Sequence, residues 1–149
     1  MLTIYTGNYS YARTHIISKG MYLKDAHTCV LDKDFLSNTF KTSSSNTVLV
    51  NPCALSSEKC QYDFGLLLCE INNDINIFTH FSTIINGVCV GLKRGIIEPE
   101  QLLIIFVDSD GILHNLPFNK DGRCDVWPPE GFMDTHENAL IELIRGNNS

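Results

Sequence analysis

Short apolar runs alternate with longer stretches of helical periodicity over the first two thirds of the chain. Leu2–Thr6, Thr47–Val50 and Ile75–Phe78 are β-branched or aromatic and read as buried strands. Thr28–Leu31 is a further strand candidate. Between them, Arg13–Lys24 repeats apolar residues at Ile16, Ile17, Met21 and Leu23, which predicts a short helix across Gly20. Gly7–Tyr11 reads as a turn, and Ser37–Asn46, rich in Ser, Thr and Asn, as a loop. Ser56–Ile71 predicts a helix capped by Ser56 or Ser57, and Thr83–Lys93 a helix stopped at Gly95.

The pattern changes after residue 95. Leu102–Val107 and Ile112–Leu116 flank Ser109-Asp110-Gly111, a hairpin signal. Asp121-Gly122 marks a second turn, Trp127-Pro128-Pro129 an extended segment, and Thr135–Ile144 a final amphipathic helix. Strand–helix alternation followed by a hairpin predicts an α/β fold, with a mainly parallel sheet, flanking helices and a C-terminal β-hairpin. No linker or repeat divides the chain, so residues 1–149 read as a single domain.

Composition narrows the classes. The net charge of −6 argues against a broadly basic nucleic-acid surface. No apolar run approaches the roughly 20 residues of a membrane span, and the first residues lack the features of a secretory leader, so a cytoplasmic protein is expected. None of the six cysteines forms a C-x-x-C pair, so they are expected to be buried, reduced thiols, with no metal site. The paired turn acids Asp108 and Asp110 read as solvated, and Glu130 and Asp134 as caps of the final helix.

Three segments carry a resemblance. They are T-H-F-S-T-I-I-N-G-V-C-V-G-L-K-R-G at 79–95, its continuation I-I-E-P-E-Q-L-L-I-I-F-V at 96–107, and D-G-R-C-D-V-W-P-P-E-G-F-M-D-T-H-E-N-A-L-I-E-L-I at 121–144. Together they resemble the C-terminal part of OLD-like, ABC-type AAA ATPases, including an appended domain of unknown function. The resemblance covers residues 75–144 almost without gaps and departs by one extra proline. It implies a truncated P-loop NTPase-like fold. It also places His80 at the family's γ-phosphate-contacting histidine.

Upstream, V-L-V-N-P-C-A-L at 48–55 is similar to the family's Walker B segment, with Asn51 at its end, Val50 where the magnesium-organising acid belongs, and Cys53 for the following Glu. G-N-Y-S-Y-A-R-T at 7–14 resembles a degenerate Walker A, G-x-x-x-x-G-K-[ST], in which Gly7 and Thr14 match, Ala12 replaces the second Gly and Arg13 the Lys. On this resemblance Gly7, Asn8, Ala12, Arg13 and Thr14 are the nucleotide-binding candidates, Asn51 closes the Walker B-like strand, and His80 is the catalytic candidate.

The departures bear on chemistry. Arg13 keeps charge but not the compact ammonium of Lys, and Tyr9 and Tyr11 put bulk where small residues let backbone N–H groups close on phosphate. Phosphoryl transfer depends on positioning and charge stabilisation, so losing the Lys and the acid together removes most of the rate. The glycine-rich ABC signature is absent from the sequence.

The expected function is therefore a non-catalytic, pseudo-ATPase binding module with no cofactor. Its expected partner is a full-length ABC- or OLD-type ATPase, or a second copy of itself. The family context is bacterial genome maintenance and phage defence. The alternative is a minimal ATP-binding protein or weak ATPase that uses Arg13, Thr14 and His80 with ATP and magnesium. The hypothesis also makes a geometric demand: Gly7–Thr14, Asn51 and His80 should converge at the carboxyl edge of the sheet.

Overall fold

A computed structural model describes residues 1–26, 31–34, 36–37, 46–126 and 132. The described strands are β1 (Leu2–Gly7), β2 (Tyr22–Asp25), β3 (Thr47–Val50), β4 (Ile75–Phe78), β5 (Leu102–Val107) and β6 (Leu113–Leu116). The described helices are α1 (Tyr9–Ser18), α2 (Glu58–Cys69) and α3 (Ser82–Lys93), with a 3-10 turn at Pro99–Gln101.

The strands form one sheet in the order β2-β3-β4-β1-β5-β6, parallel except for the antiparallel β5–β6 hairpin. The fold is thus α/β, as the alternation predicts. β1 lies between β4 and β5, and its first five residues are buried, which accounts for a strand apolar on both faces.

From β1 the chain passes β4 and β3 to reach β2, and then returns. Right-handed crossovers in opposite directions place helices on opposite faces of the sheet. The core divides accordingly. Ala12 and Ile16 of α1 pack with Tyr5, Val48, Val50, Phe78, Ile105 and Val107. Phe64 and Leu68 of α2 and Ile84 and Val88 of α3 pack with Ile4, Leu49, Ile77 and Ile104.

Glycines bring α2 and α3 into backbone contact. A Cβ on Gly65 would lie 2.2 Å from the Ile84 carbonyl oxygen, and one on Gly87 2.3 Å from that of Tyr62. Gly87 of the I-N-G run therefore has a packing role.

Three expectations are corrected. The first helix runs from Tyr9 to Ser18, not from Arg13 to Lys24: Asn8 caps it early, and Gly20, at φ +77°, turns the chain out of it. The span Tyr22–Asp25 is instead the edge strand β2. Cys53 is disulfide-bonded, whereas Cys60, Cys69, Cys89 and Cys124 are reduced. The strand expected at 28–31, the extended 127–129 segment, the caps Glu130 and Asp134, and the helix at 135–144 lie wholly or largely outside the described residues. Among the described residues no helix is long and apolar enough to cross a membrane.

Candidate functional site

The connections after β1 and β4 leave the sheet toward opposite faces, α1 to one side and α3 to the other. A parallel sheet opens a crevice at such a switch point, outside the carboxyl ends of its strands. Gly7 ends β1, Asn51 follows β3, and His80 follows β4, so all three stand at this edge.

Asn51 and His80 are joined directly. The Asn51 backbone N–H donates to the Phe78 carbonyl at 2.7 Å, and its side-chain Oδ1 accepts from the His80 backbone N–H at 3.1 Å. Asn51 adopts a left-handed conformation, φ +48°, which Asn tolerates better than most residues. Cys53 is also left-handed, at φ +64°, and its carbonyl accepts from Gln61 Nε2 at 3.2 Å. The Gln61 Oε1 accepts from the Thr83 hydroxyl in the first turn of α3. One buried amide thus ties the loop after β3 to α2 and α3.

The His80 ring stands at the end of an aromatic group. It lies 4.8 Å from the Phe78 ring, edge to face, and 6.3 Å from that of Tyr9, which itself packs on Phe78 at 5.0 Å. Desolvation against these neighbours lowers the His80 pKa below the ordinary histidine value, so the imidazole is neutral at neutral pH. A neutral imidazole can donate or accept one hydrogen bond, but it supplies no charge to a phosphate.

The β1–α1 junction is built differently. Asn8 alone separates the strand from the helix. Its N–H donates to the Val107 carbonyl at 2.8 Å, and its Oδ1 caps α1 by accepting from Tyr11 N–H at 3.1 Å. Gly7 has φ +99°, and a Cβ there would sit 2.2 Å from the Val107 oxygen, so contact with β5 requires this glycine. Ala12 is fully buried in the core beneath α1. The Thr14 hydroxyl donates to the Ser10 carbonyl one turn back, at 3.1 Å.

Arg13 is exposed and lines an open groove of about 540 Å³, together with Tyr9, Ile17, Met21, Tyr22, Leu23 and Asp25. That groove runs between α1 and β2. The structure therefore brings Gly7, Asn8, Asn51 and His80 to one edge. Residues 9–14, however, form helix where a phosphate-binding loop would run.

Val50, which the sequence resemblance aligns with a magnesium-organising acid, is buried in the α1-side core. Asp108, at the end of β5, has its carboxylate committed. Oδ1 accepts from the N–H groups of Asp110 and Ile112, and Oδ2 lies 2.8 Å from His114 Nε2. The His114 contact, with these backbone bonds, holds its pKa below the usual carboxylate range. Asp108 is therefore the organiser of the hairpin turn and not simply a solvated turn acid. Among the described residues no group of three or more His, Cys, Asp or Glu side chains could hold a metal ion.

Sequence reasoning missed three contributors. Tyr9 read as an obstruction, yet its ring supports the site. Gln61 carried only the signal of a polar residue on an apolar helix face. His114 pairs with Asp108 only because the hairpin register sets His114 opposite Phe106, two residues from Asp108. Comparison of the chain with protein families, curated proteins and solved structures found no match.

Proposed function

We propose that this chain is a non-catalytic, ATPase-like binding module. The observation that carries this reading is the one-residue connection between β1 and α1. A triphosphate is held by successive backbone N–H groups of an open loop before a helix. Here that stretch is helical, its cap is Asn8, Ala12 is core, and the Thr14 hydroxyl is bonded within its own helix. Arg13 lines a lateral groove.

The module acts by docking, either on a full-length ABC- or OLD-type ATPase or on a second copy of itself. Bacterial genome maintenance and phage defence are the settings that the sequence resemblance suggests. Thermal unfolding with and without millimolar Mg-ATP tests the nucleotide half of the proposal. Ligand binding to the folded state raises the midpoint by mass action, so an unchanged midpoint is expected. A rise that Arg13→Ala abolishes overturns it. Light scattering of the purified chain, alone and mixed with such an ATPase, tests the docking half; a monomer that binds neither overturns that half.

A second reading rests on the Asn51–His80 bond and the aromatic group at the switch point. In that reading the edge keeps a weak nucleotide pocket used by Arg13, Thr14 and His80. The same titration separates the two, because the second reading requires a shift that both Arg13→Ala and His80→Ala diminish.

A further inference from the structure

A different part of the molecule holds a cluster of thiols. Cys69 ends α2, Cys89 lies in α3, and Cys124 closes the turn that follows β6. Cys89 and Cys124 are both partly buried, are both free thiols, and pack against the same core.

The turn carrying Cys124 is firmly held. Phe118 and Cys124 form a β-bridge, and Asn119 accepts at its carbonyl from Gly122 N–H, at 2.9 Å. The Asn119 side chain accepts from the N–H groups of Asp121 and Arg123 and donates to Asp125. This turn presses directly on α3. A Cβ on Gly122 would lie 2.4 Å from the Cys89 carbonyl oxygen and 3.4 Å from the Cys89 Cα. Cys124 is two residues beyond that contact. Cys69 differs, because it is buried and its single S–H faces the Gly65 carbonyl at 3.4 Å, with the Val88 carbonyl at 3.9 Å as a second acceptor.

We propose that Cys89 and Cys124 are a latent disulfide pair, a modification site at which a small-molecule disulfide oxidant staples the post-hairpin turn to α3. The chemistry is thiol–disulfide exchange. A Cys124 thiolate attacks oxidised glutathione, forms a mixed disulfide and releases one glutathione thiolate. Cys89 then gives its proton to solvent and attacks the Cys124 sulfur, releasing the second glutathione thiolate. Two protein thiols are oxidised and one glutathione disulfide is reduced to two thiols. Burial pushes the Cys89 thiol up to about 11, so the second step is slow at neutral pH. The bond constrains the unfolded chain and so stabilises the fold.

The test incubates the folded, full-length chain with oxidised glutathione, blocks remaining thiols and maps peptides without reduction. A Cys89–Cys124 linked peptide is expected, lost in Cys124→Ser and retained in Cys60→Ser. The oxidised protein is expected to melt at higher temperature than before treatment, and the same treatment to leave the Cys124→Ser midpoint unchanged. Glutathione remaining on Cys124, a Cys69–Cys89 link, or no linked peptide after prolonged incubation would each overturn the proposal. Because Cys124 lies in a surface turn, its serine variant is readable even where Cys89→Ser unfolds the protein.

Discussion

Two places on the same sheet edge have opposite construction. At the ends of β3 and β4, a left-handed Asn51 bonds the backbone of His80, and a buried Gln61 fastens the loop behind it. At the end of β1, a glycine, one capping Asn and a helix close the chain down on β5. The first place holds side chains in unusual backbone conformations around an exposed imidazole. The second places every described group in an ordinary structural role. Neighbouring strand ends of one parallel sheet can thus be closed in two ways, by a side chain that bonds the next loop or by a helix cap.

The largest test of this contrast is Gly7→Val. The positive φ and the 2.2 Å approach to Val107 make Gly7 structural, so a loss of roughly 3 kcal/mol or more is expected by chemical denaturation. A glycine kept only for phosphate would tolerate the change.

Gly87→Ala comes next. It forces α3 away from the Tyr62 carbonyl and is expected to cost about 2 kcal/mol, shifting the denaturation midpoint without altering the slope. An unchanged midpoint would mean that the I-N-G glycine is not a packing residue.

Smaller effects separate the two asparagines. Asn8→Ala removes a helix cap and is expected to cost about 1 kcal/mol, with its hydrogen-exchange changes confined to the first turn of α1. Asn51→Ala loses the His80 contact and left-handed tolerance, for about 1–2 kcal/mol, and shifts the NMR signals of His80. Shifts at His80 in Asn8→Ala, or none in Asn51→Ala, would erase the distinction.

The smallest effect is in pH. His80 and His15 are both held below the ordinary histidine pKa by desolvation. A depressed folded-state value means that the folded protein binds fewer protons than the unfolded chain. The associated stability is present above about pH 6.5 and is lost as pH falls through the folded value. NMR titration of His80 should therefore give a pKa below 6.5, moving toward 6.5 in Tyr9→Ala, which opens the ring to solvent. A His80 pKa above 6.5 would point to a neighbouring anion at the edge.

Much of this was legible beforehand, for reasons of local chemistry. The β1, β3, β4 and β5 runs are short and mostly apolar, as strands covered on both faces are. Ser57 and Gly95 bounded α2 and α3 to within two residues, and Asp110-Gly111 gave the hairpin. The β2 strand was misread because Met21 and Leu23 continue a helical spacing from Ile16 and Ile17. Only the left-handed Gly20 ends that helix, and a Gly within such a pattern is also compatible with helix.

Local pattern therefore determined most element types, β2 excepted, and the α/β class, and a parallel sheet then sets Gly7, Asn51 and His80 at the carboxyl ends of its strands. What the segment after Gly7 became was decided by tertiary structure. The same residues, G-N-Y-S-Y-A-R-T, can be an open loop or a capped helix. The choice turns on whether Gly7 and Asn8 close against Val107 and whether Ala12 is drawn into the core under α1. Those contacts join β1 to β5 and α1 to the sheet across long sequence separations, and no spacing within eight residues encodes them.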